Sequence, residues 1–271
     1  MDNIKFIREL YTPRQPTIGR SNNAVSYVEL LPHQELQNFI YCYWELKTRE
    51  ELTAPFNYCV VTDGCIDVFL ELQSPSENFV MGFCRKYTEF PLHNSFRYFG
   101  VRFLPTVFSQ IYKIDASQLS NKFQYLRIFS ESTSSFIADN LNADQSSEQL
   151  VKILDDYFLD SIDSKKFDDD SRLYEAIKVI LKNFGVVNLQ EEINTGVSQR
   201  QLRRLFNYYI GATPKSFCKV VQFQNILKAK PSKQSLRSNK LFYNLGYYDQ
   251  AHFIKDFKNF YGVTPSKAFG R

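Results

Sequence analysis

The sequence predicts an α+β protein in which a β-rich, cupin-like or barrel-like N-terminal domain precedes an all-α domain. Residues 56–103 contain short runs of β-branched and aromatic residues bounded by turn residues, which is typical of strands. From Ser171 onward, apolar residues recur about every 3.6 positions, which is typical of helices. The charge changes at the same point. Residues 171–271 have 17 Lys and Arg against 5 Asp and Glu, a net charge of +12, whereas residues 1–170 have a net charge of −8.

The strands predicted for the N-terminal domain lie in four apolar runs. These are FNYCVV (56–61), CIDVFLEL (65–72), NFVMGFC (78–84) and RYFGVRF (97–103). Turn residues such as Asp63-Gly64 separate the runs, so we expect the strands to pair antiparallel. Helical spacing predicts two later helices, over Thr106–Lys113 and Ser147–Leu159. We expect this domain to cover residues 1–165, with the boundary in the polar run Asp168–Asp170.

The N-terminal domain lacks the patterns of the common catalytic sites. A cupin metal site needs several histidines, and this part of the chain has only His33 and His93. It contains no GxSxG, P-loop or HExxH motif, so we predict no enzyme activity, no metal and no cofactor. Asp63 and Asp67 are either a catalytic carboxylate pair or a turn residue and a strand-edge residue, and the second interpretation is favoured.

Cysteine usage and hydropathy predict the cellular compartment. The five cysteines are odd in number and form no CxxC pair, which favours reduced thiols in a cytoplasmic protein. The first residues carry scattered charges, and no apolar run approaches the roughly 18 residues of a membrane span. We therefore expect neither a secretory signal nor a membrane segment.

The C-terminal part, residues 171–271, begins with the pattern of a helix-turn-helix. Ser171 is predicted to cap a helix through Phe184, and Asn188 to cap a short helix, LQEEI. After a turn at Thr195-Gly196, Ser198 is predicted to cap a helix that ends at Gly211. The outer face of that helix carries basic and polar side chains at positions i, i+3, i+4 and i+7, which are Arg200, Arg203, Arg204 and Asn207.

A second unit of the same design follows a long helix predicted over Pro214–Lys230. It consists of a short helix over 239–245 and a helix that Asp249 caps and Gly262 ends. Aromatic residues form the buried stripe of the later helix, and its open face carries Gln250, Ala251, His252 and Lys255. The two units are predicted at about residues 186–211 and 236–262. Each pattern alone is also typical of ordinary core and solvated surface, but two in tandem on a segment of +12 favour DNA binding.

These residues carry a resemblance to the AraC/XylS-type DNA-binding domain. SQRQLRRLFNYYIGATPKSF resembles its first unit, and GYYDQAHFIKDFKNFYGVTP resembles the second, commonly GF-x-D-x-x-x-F-x-x-x-F-K-x-x-x-G-x-T-P. Departures are the short LQEEI helix, Gln222 where Arg is frequent, and Leu241-Phe242 where Ile-Ala is usual. In the first half, LPHQELQNFIYCYWEL, VTDGCIDVFLEL and FGVRFLP resemble an uncharacterised N-terminal domain of one branch of this family, with Thr62 where Pro is usual.

The resemblance implies a transcription regulator whose two units enter adjacent major grooves of double-stranded DNA. Arg200, Arg203 and Arg204, with Gln199 as a lesser candidate and Asn207 on the same face, would enter one groove; Gln250, Ala251, His252 and Lys255 would enter the next. Lys215, Lys267 and the helix N-termini would contact phosphates. The N-terminal domain would sense an unidentified small-molecule effector or form a homodimer. The Ser147–Leu159 helix is either a dimer or interdomain surface or, as we favour, a core helix.

Two other functions remain open from the residues alone. One is an enzyme fused to a DNA-binding domain, such as a repair methyltransferase with a sacrificial cysteine, which needs a metal-activated or low-pKa thiolate. Acidic neighbours of Cys65 argue against it. The other is an interaction protein whose degenerate DNA-binding domain no longer binds. The operator, the effector and the sign of regulation are not predicted.

Overall fold

The computed structural model describes residues 2–16, 24–163, 167, 170–229, 246–247 and 249–269. In the described part of the first half, eight strands form two antiparallel sheets. The four predicted runs contribute β3, β4, β5 and β7, and the other four strands were not predicted. The strands are β1 (Val25–Leu30), β2 (Ile40–Thr48), β3 (Phe56–Val60), β4 (Ile66–Glu71), β5 (Asn78–Met81), β6 (Thr88–Leu92), β7 (Arg97–Phe103) and β8 (Phe123–Tyr125). The large sheet has the order β1-β2-β7-β4-β5-β8, and β3 pairs with β6 in a separate two-stranded sheet.

The two faces of the large sheet pack against different layers. Successive residues of a strand point to opposite faces, and on β7 this separates Phe99 and Val101 from Gly100 and Arg102. Phe99 and Val101 belong to the main core beneath the helices. The opposite face forms a smaller apolar cluster with the two-stranded sheet, and this cluster includes Trp44, Tyr58 and Leu92.

Four helices cover the main-core face of the N-terminal domain. They are α1 (Asp2–Leu10), α2 (Val107–Tyr112), α3 (Glu131–Asn140) and α4 (Ser147–Asp163). The apolar stripe of α4, with Leu150, Leu154 and Phe158, is fully buried in its own domain. The prediction of a core helix at this position is therefore confirmed, and this stripe is not free to form a dimer surface.

The second half is helical, as predicted. Its helices among the described residues are α5 (Ser171–Lys182), α6 (Gln199–Ile210), α7 (Pro214–Ala229), α8 (Gln250–Tyr261) and α9 (Pro265–Phe269). Two local predictions are wrong. The cap of α5 is Asp170, whose carboxylate accepts from the Arg172 amide, because an Asp directly before the first turn satisfies a free amide as Ser171 would have done one residue later.

The predicted helix LQEEI is the second error, because residues 189–192 form a turn rather than a helix. The Asn188 carbonyl accepts from the amides of Glu191 and Glu192, and the Asn188 side chain accepts from Gln190. These bonds to Asn188 form one isolated turn, which is too short to continue as a helix. The helix predicted over 239–245 and most of the predicted boundary at Asp168–Asp170 lie outside the described residues.

The apolar core is continuous between the two halves. Helix α5 packs on α1, where the Phe6 and Tyr174 rings meet edge to face at 6.4 Å. Helix α6 packs on α2, and α7 contributes Phe217 and Val220 beside the turn at Gly64. The helical half is therefore held directly against the β-rich half.

Candidate nucleic-acid interface

Helix α6 is fixed at both ends by its own sequence. The Ser198 hydroxyl accepts from the Gln201 amide, and the Gln201 side chain accepts from the Ser198 amide, so the two residues form a capping box. Gly211 ends the helix at φ 80°, a conformation that glycine adopts without strain. Leu202 and Phe206 are buried, which turns the opposite face of the helix outward. The predicted caps and buried face are confirmed, although Leu205 is only partly buried.

The outward face of α6 presents three arginines. Arg200, Arg203 and Arg204 are all exposed, and Asn207 one turn later is half-buried. Among the described residues, no carboxylate forms an ion pair with any of the three guanidinium groups. Gln199 differs, because its amide nitrogen donates to the Leu189 carbonyl at 2.8 Å and ties α6 to the preceding turn.

Helix α8 repeats this arrangement. The Asp249 carboxylate accepts from the His252 amide at 2.7 Å, and Gly262 ends the helix at φ 91°. Phe253, Phe257 and Phe260 are buried. The predicted outward residues Gln250, Ala251, His252 and Lys255 are all exposed.

Asp256 makes the second helix electrostatically different from the first. Its carboxylate lies 2.8 Å from Lys219 Nζ on α7 and 3.5 Å from His252 Nε2 one turn earlier on α8. The pair with Lys219 links the second unit to the long helix. It also reduces the positive charge beside α8, so α6 is the more basic of the two helices.

The two predicted phosphate-binding lysines lie at the starts of other helices. Lys215 is the second residue of α7 and Lys267 the third of α9, and both are exposed. They and the N-termini of α6 and α8 are the features that contact phosphates in other DNA-binding folds. Their assignment to phosphates stays a prediction.

The C-terminal end of each outward helix is attached to the N-terminal domain. At α6, the Gly211 carbonyl accepts from the Ser120 hydroxyl, and a Cβ at Gly211 would lie 2.8 Å from the Ala116 carbonyl oxygen. At α8, the Asn259 carbonyl accepts from the Tyr87 amide at 3.0 Å, and a Cβ at Gly262 would lie 3.1 Å from the Tyr87 ring. The contacts lie at the C-terminal ends, while Arg200 in the first turn of α6 and Gln250 and Ala251 in the first turn of α8 are exposed.

A buried glutamine joins α7 to the N-terminal domain. The Gln224 amide donates to the Thr62 carbonyl at 2.6 Å and accepts from the Arg14 amide at 2.8 Å. The neighbouring Gln15 side chain bonds both the amide and the carbonyl of Val61, and it also donates to the Asp63 carboxylate at 2.9 Å. These bonds satisfy the amide and carbonyl of Val61 and the carbonyl of Thr62 inside the interface.

Sequence reasoning did not find these attachments. Gln224 lies at a buried position of an apolar helix, and a polar residue at such a position is the available signal for a specific partner. The pairing of Asp256 with Lys219 joins residues 37 apart in the chain, so no local spacing indicates it. Gly211 and Gly262 end their helices and also contact the N-terminal domain, and nothing in the sequence motif indicates this contact.

The cysteines have the opposite of the environment that a nucleophilic thiolate needs. Burial raises the pKa of all five thiols, to about 11 for Cys59 and Cys84. No cluster of three or more metal-ligating side chains occurs in the described ranges. Within the same ranges, no helix combines the length and apolarity of a membrane span.

Comparison with known protein families finds one domain match in each half of the chain. Residues 28–124 match a domain of unknown function, DUF6597, and residues 194–271 match a helix-turn-helix domain. An uncharacterised HTH-type transcriptional regulator of Haemophilus influenzae is 34% identical over 102 residues, which cover 36% of this chain and 33% of that protein. The chain thus matches about one third of the length of this relative.

Among solved structures, ToxT from Vibrio cholerae O395 covers 92% of this chain and 98% of its own, with 12% identity and a TM-score of 0.41. An unsaturated fatty acid-bound ToxT from V. cholerae SCE256 has 13% identity and a TM-score of 0.38 over 92% of this chain and 96% of its own. Likeness at this level carries no conclusion about ligand or partner. The two domain matches identify the domains: the chain joins an N-terminal domain of the DUF6597 family to a C-terminal domain of the AraC-type helix-turn-helix family.

Proposed function

We propose that this protein is a sequence-specific DNA-binding transcription regulator whose two helix-turn-helix units enter adjacent major grooves. The observation that carries the proposal is the outward face of α6, where Arg200, Arg203 and Arg204 are exposed and unpaired among the described residues. Arginine makes bidentate hydrogen bonds to the O6 and N7 atoms of guanine. Three free guanidinium groups on one face of a capped helix suit this contact.

The second unit would contribute less to affinity than the first. Its outward residues Gln250 and His252 are suited to hydrogen bonds with base edges, and Lys255 adds one positive charge. The Asp256 carboxylate beneath His252 offsets part of that charge. We therefore assign most of the binding energy to α6, with Lys215, Lys267 and the helix N-termini acting on phosphates.

Control by the N-terminal domain is part of the proposal. That domain contacts the ends of α6 and α8 and the middle of α7. A small molecule bound in the β-rich domain would therefore act on elements that carry the DNA-binding residues. Homodimer formation remains a hypothesis, and the covered apolar stripe of α4 does not support it.

The proposal is tested by fluorescence anisotropy of the full chain with a duplex selected from a random pool, at about 50 to 200 mM salt. We expect Arg203→Ala/Arg204→Ala to weaken binding to the selected duplex by about 30-fold or more, because each bidentate base contact contributes about 1–3 kcal/mol. The control Lys122→Ala/Lys152→Ala removes two exposed charges from the N-terminal domain and should change affinity only slightly.

Three outcomes would contradict parts of the proposal. Equal effects of the two double variants would mean that the arginines act only through overall charge. Unchanged binding of the arginine variant would remove their assigned role. Weak binding without sequence preference, even after selection, would favour an interaction protein with a degenerate domain, whereas stoichiometric zinc or a reactive thiol would favour the fused-enzyme alternative.

A further inference from the structure

A cavity of about 170 Å³ lies between the two sheets of the N-terminal domain. This volume is comparable to the roughly 150 Å³ cavity that holds benzene in an engineered protein core. Half of its fourteen lining residues are aromatic, namely Trp44, Tyr58, Phe69, Phe79, Phe90, Tyr98 and Phe123. Phe123 is 49% exposed, so the cavity opens to solvent on the β8 side.

The charged part of the wall consists of Asp67 and Arg102. The Asp67 carboxylate accepts from Arg102 Nε at 3.2 Å, from Arg102 Nη2 at 2.9 Å and from the Trp44 indole at 3.0 Å. A carboxylate has about four acceptor positions, so one remains for a ligand. Gly100 makes this arrangement possible, because a Cβ there would overlap the Trp44 ring.

The charge around this pair is negative. The Arg102 guanidinium is 1% exposed and lies within 3.4 Å of three carboxylates, those of Asp63, Asp67 and Glu29. One positive charge therefore faces three negative ones, of which Asp67 lines the cavity and Asp63 and Glu29 do not. Asp63 and Asp67 are largely buried, where charges interact more strongly than in water, whereas the Glu29 side chain is 34% exposed. A bound anion would add to this excess, whereas a bound cation would reduce it.

Three sequence blocks meet at this end of the cavity. Trp44 comes from the YWEL block, Asp67 from the DGCID block, and Arg102 from the GVRF block. These blocks carry the resemblance of the N-terminal half, and the proposed DNA contacts use none of them. Asp63 of the DGCID block does not line the cavity, but it pairs with Arg102 at 3.2 Å and accepts from Gln15 in the interface with α7. It therefore links the charged end of the cavity to the contact with the helical half.

We propose that this cavity binds a small organic cation, an amine or quaternary ammonium on a compact apolar body, with the cation beside Asp67 and the body among the aromatic rings. Aromatic faces attract cations, most strongly when the cation is desolvated. Only the idea that this cation is the signal of the regulator rests on the proposed function. Binding itself does not require DNA.

The sequence contains a single tryptophan, Trp44, so tryptophan fluorescence of the full chain reports on this cavity alone. Three probes of similar size are titrated without DNA: phenethylammonium, 2-phenylethanol and phenylacetate. We expect saturable binding of phenethylammonium at least tenfold tighter than that of the alcohol, about the effect of one charged hydrogen bond, and the weakest binding for phenylacetate. Tightest binding of phenylacetate, or no saturable binding of the cation, would overturn the proposal.

Variants separate the charge from the shape of the cavity. Asp67→Asn should bind the cation and the alcohol about equally, while Asp139→Asn, at an exposed position of α3, should keep the wild-type preference. If Asp67→Asn does not fold, Phe90→Leu provides the second test. It leaves the ionic cluster intact and should weaken the cation about threefold to tenfold, with less effect on the alcohol. An unchanged preference in the folded variants would contradict the assignment.

The same titrations in the presence of the selected duplex separate this proposal from the regulator function. Cation binding that changes DNA affinity supports both. Cation binding without a change in DNA affinity supports the site and removes its role as the signal. Sequence-specific DNA binding by a chain that ignores the cation overturns the site and leaves the regulator function standing.

Discussion

Asp67 is a buried carboxylate whose protonation should affect stability. Burial raises its pKa to about 6, because the loss of hydration and the nearby Asp63 outweigh the attraction of Arg102. In the unfolded chain an Asp has a pKa of about 3.9. Between these values the folded protein binds more protons than the unfolded chain, so this carboxyl lowers the free energy of unfolding as pH rises from about 4 to 6.

We expect the wild type to lose stability relative to Asp67→Asn as pH rises from about 4 to 6, because Asn cannot titrate. The free energy of unfolding of the wild type minus that of the variant should decrease by on the order of 2 kcal/mol. Urea unfolding at several pH values measures it. Asp139→Asn provides the matched control, for which the same difference should stay nearly flat. A difference that increases with pH for Asp67→Asn would contradict the assigned direction.

Gly262 serves two purposes, and substitution can separate them. Its φ of 91° disfavours any L side chain, and a Cβ would also press on Tyr87. Gly262→Ala should therefore destabilise the fold by more than the roughly 1–2 kcal/mol of left-handed strain alone. Gly196→Ala is a close control, because φ is 72° there and no atom lies within 4 Å of the added Cβ.

Thermal unfolding of both glycine variants measures the difference. We expect Gly262→Ala to be the more destabilised, and the additional Tyr87→Ala change to remove part of its excess cost. Equal destabilisation of the two variants would mean that the Tyr87 contact adjusts without cost. In that case the glycine would serve only as a helix cap.

At the scale of the element, α6 depends on its capping box. Ser198→Ala removes the hydroxyl that accepts from the Gln201 amide and donates to Gln201 Oε1, while the backbone amide of residue 198 still donates to that side chain. We expect a loss of about 1 kcal/mol in the free energy of unfolding, together with weaker DNA binding, because the first turn carries Arg200. Ser135→Ala, at an exposed position inside α3, should change neither quantity. Unchanged DNA binding with reduced stability would separate the cap from the interface.

The elements differ in how well the sequence predicts them. Helices α6 and α8 were predicted to within a residue, because cap, apolar stripe and terminal glycine agree in each. The turn at 189–192 was predicted as a helix because Asn188 is a good capping residue, although the segment is too short to form a stable helix. The outward residues follow from helix geometry. The attachments of the glycine caps and of Gln224, and the cavity end at Asp67, could not be predicted, because each joins segments distant in the chain.

At the scale of the whole molecule, Gln224 links the two halves. Gln224→Leu keeps a similar volume but leaves the Thr62 carbonyl and the Arg14 amide without their partner. We expect destabilisation by about 1–3 kcal/mol in urea unfolding. Gln222→Leu, half-buried on the same helix, is the matched control and should have a smaller effect. A Gln224→Leu protein as stable as the wild type would show that the Gln224 hydrogen bonds do not contribute to holding the halves together.

The attachment of both outward helices to one domain has a consequence for the DNA. Two units joined by a flexible linker would lose orientational entropy when they bind the duplex. Here the two units are already fixed relative to each other in the folded chain. On the proposed function, the second unit would therefore bind at a high effective concentration once the first is in place. The same rigidity should make DNA binding sensitive to the number of base pairs between the two contacted grooves. A site lengthened by about five base pairs, half a turn of the duplex, would turn the second groove to the far side of the helix, where a unit held by Gly262 and Asn259 cannot follow.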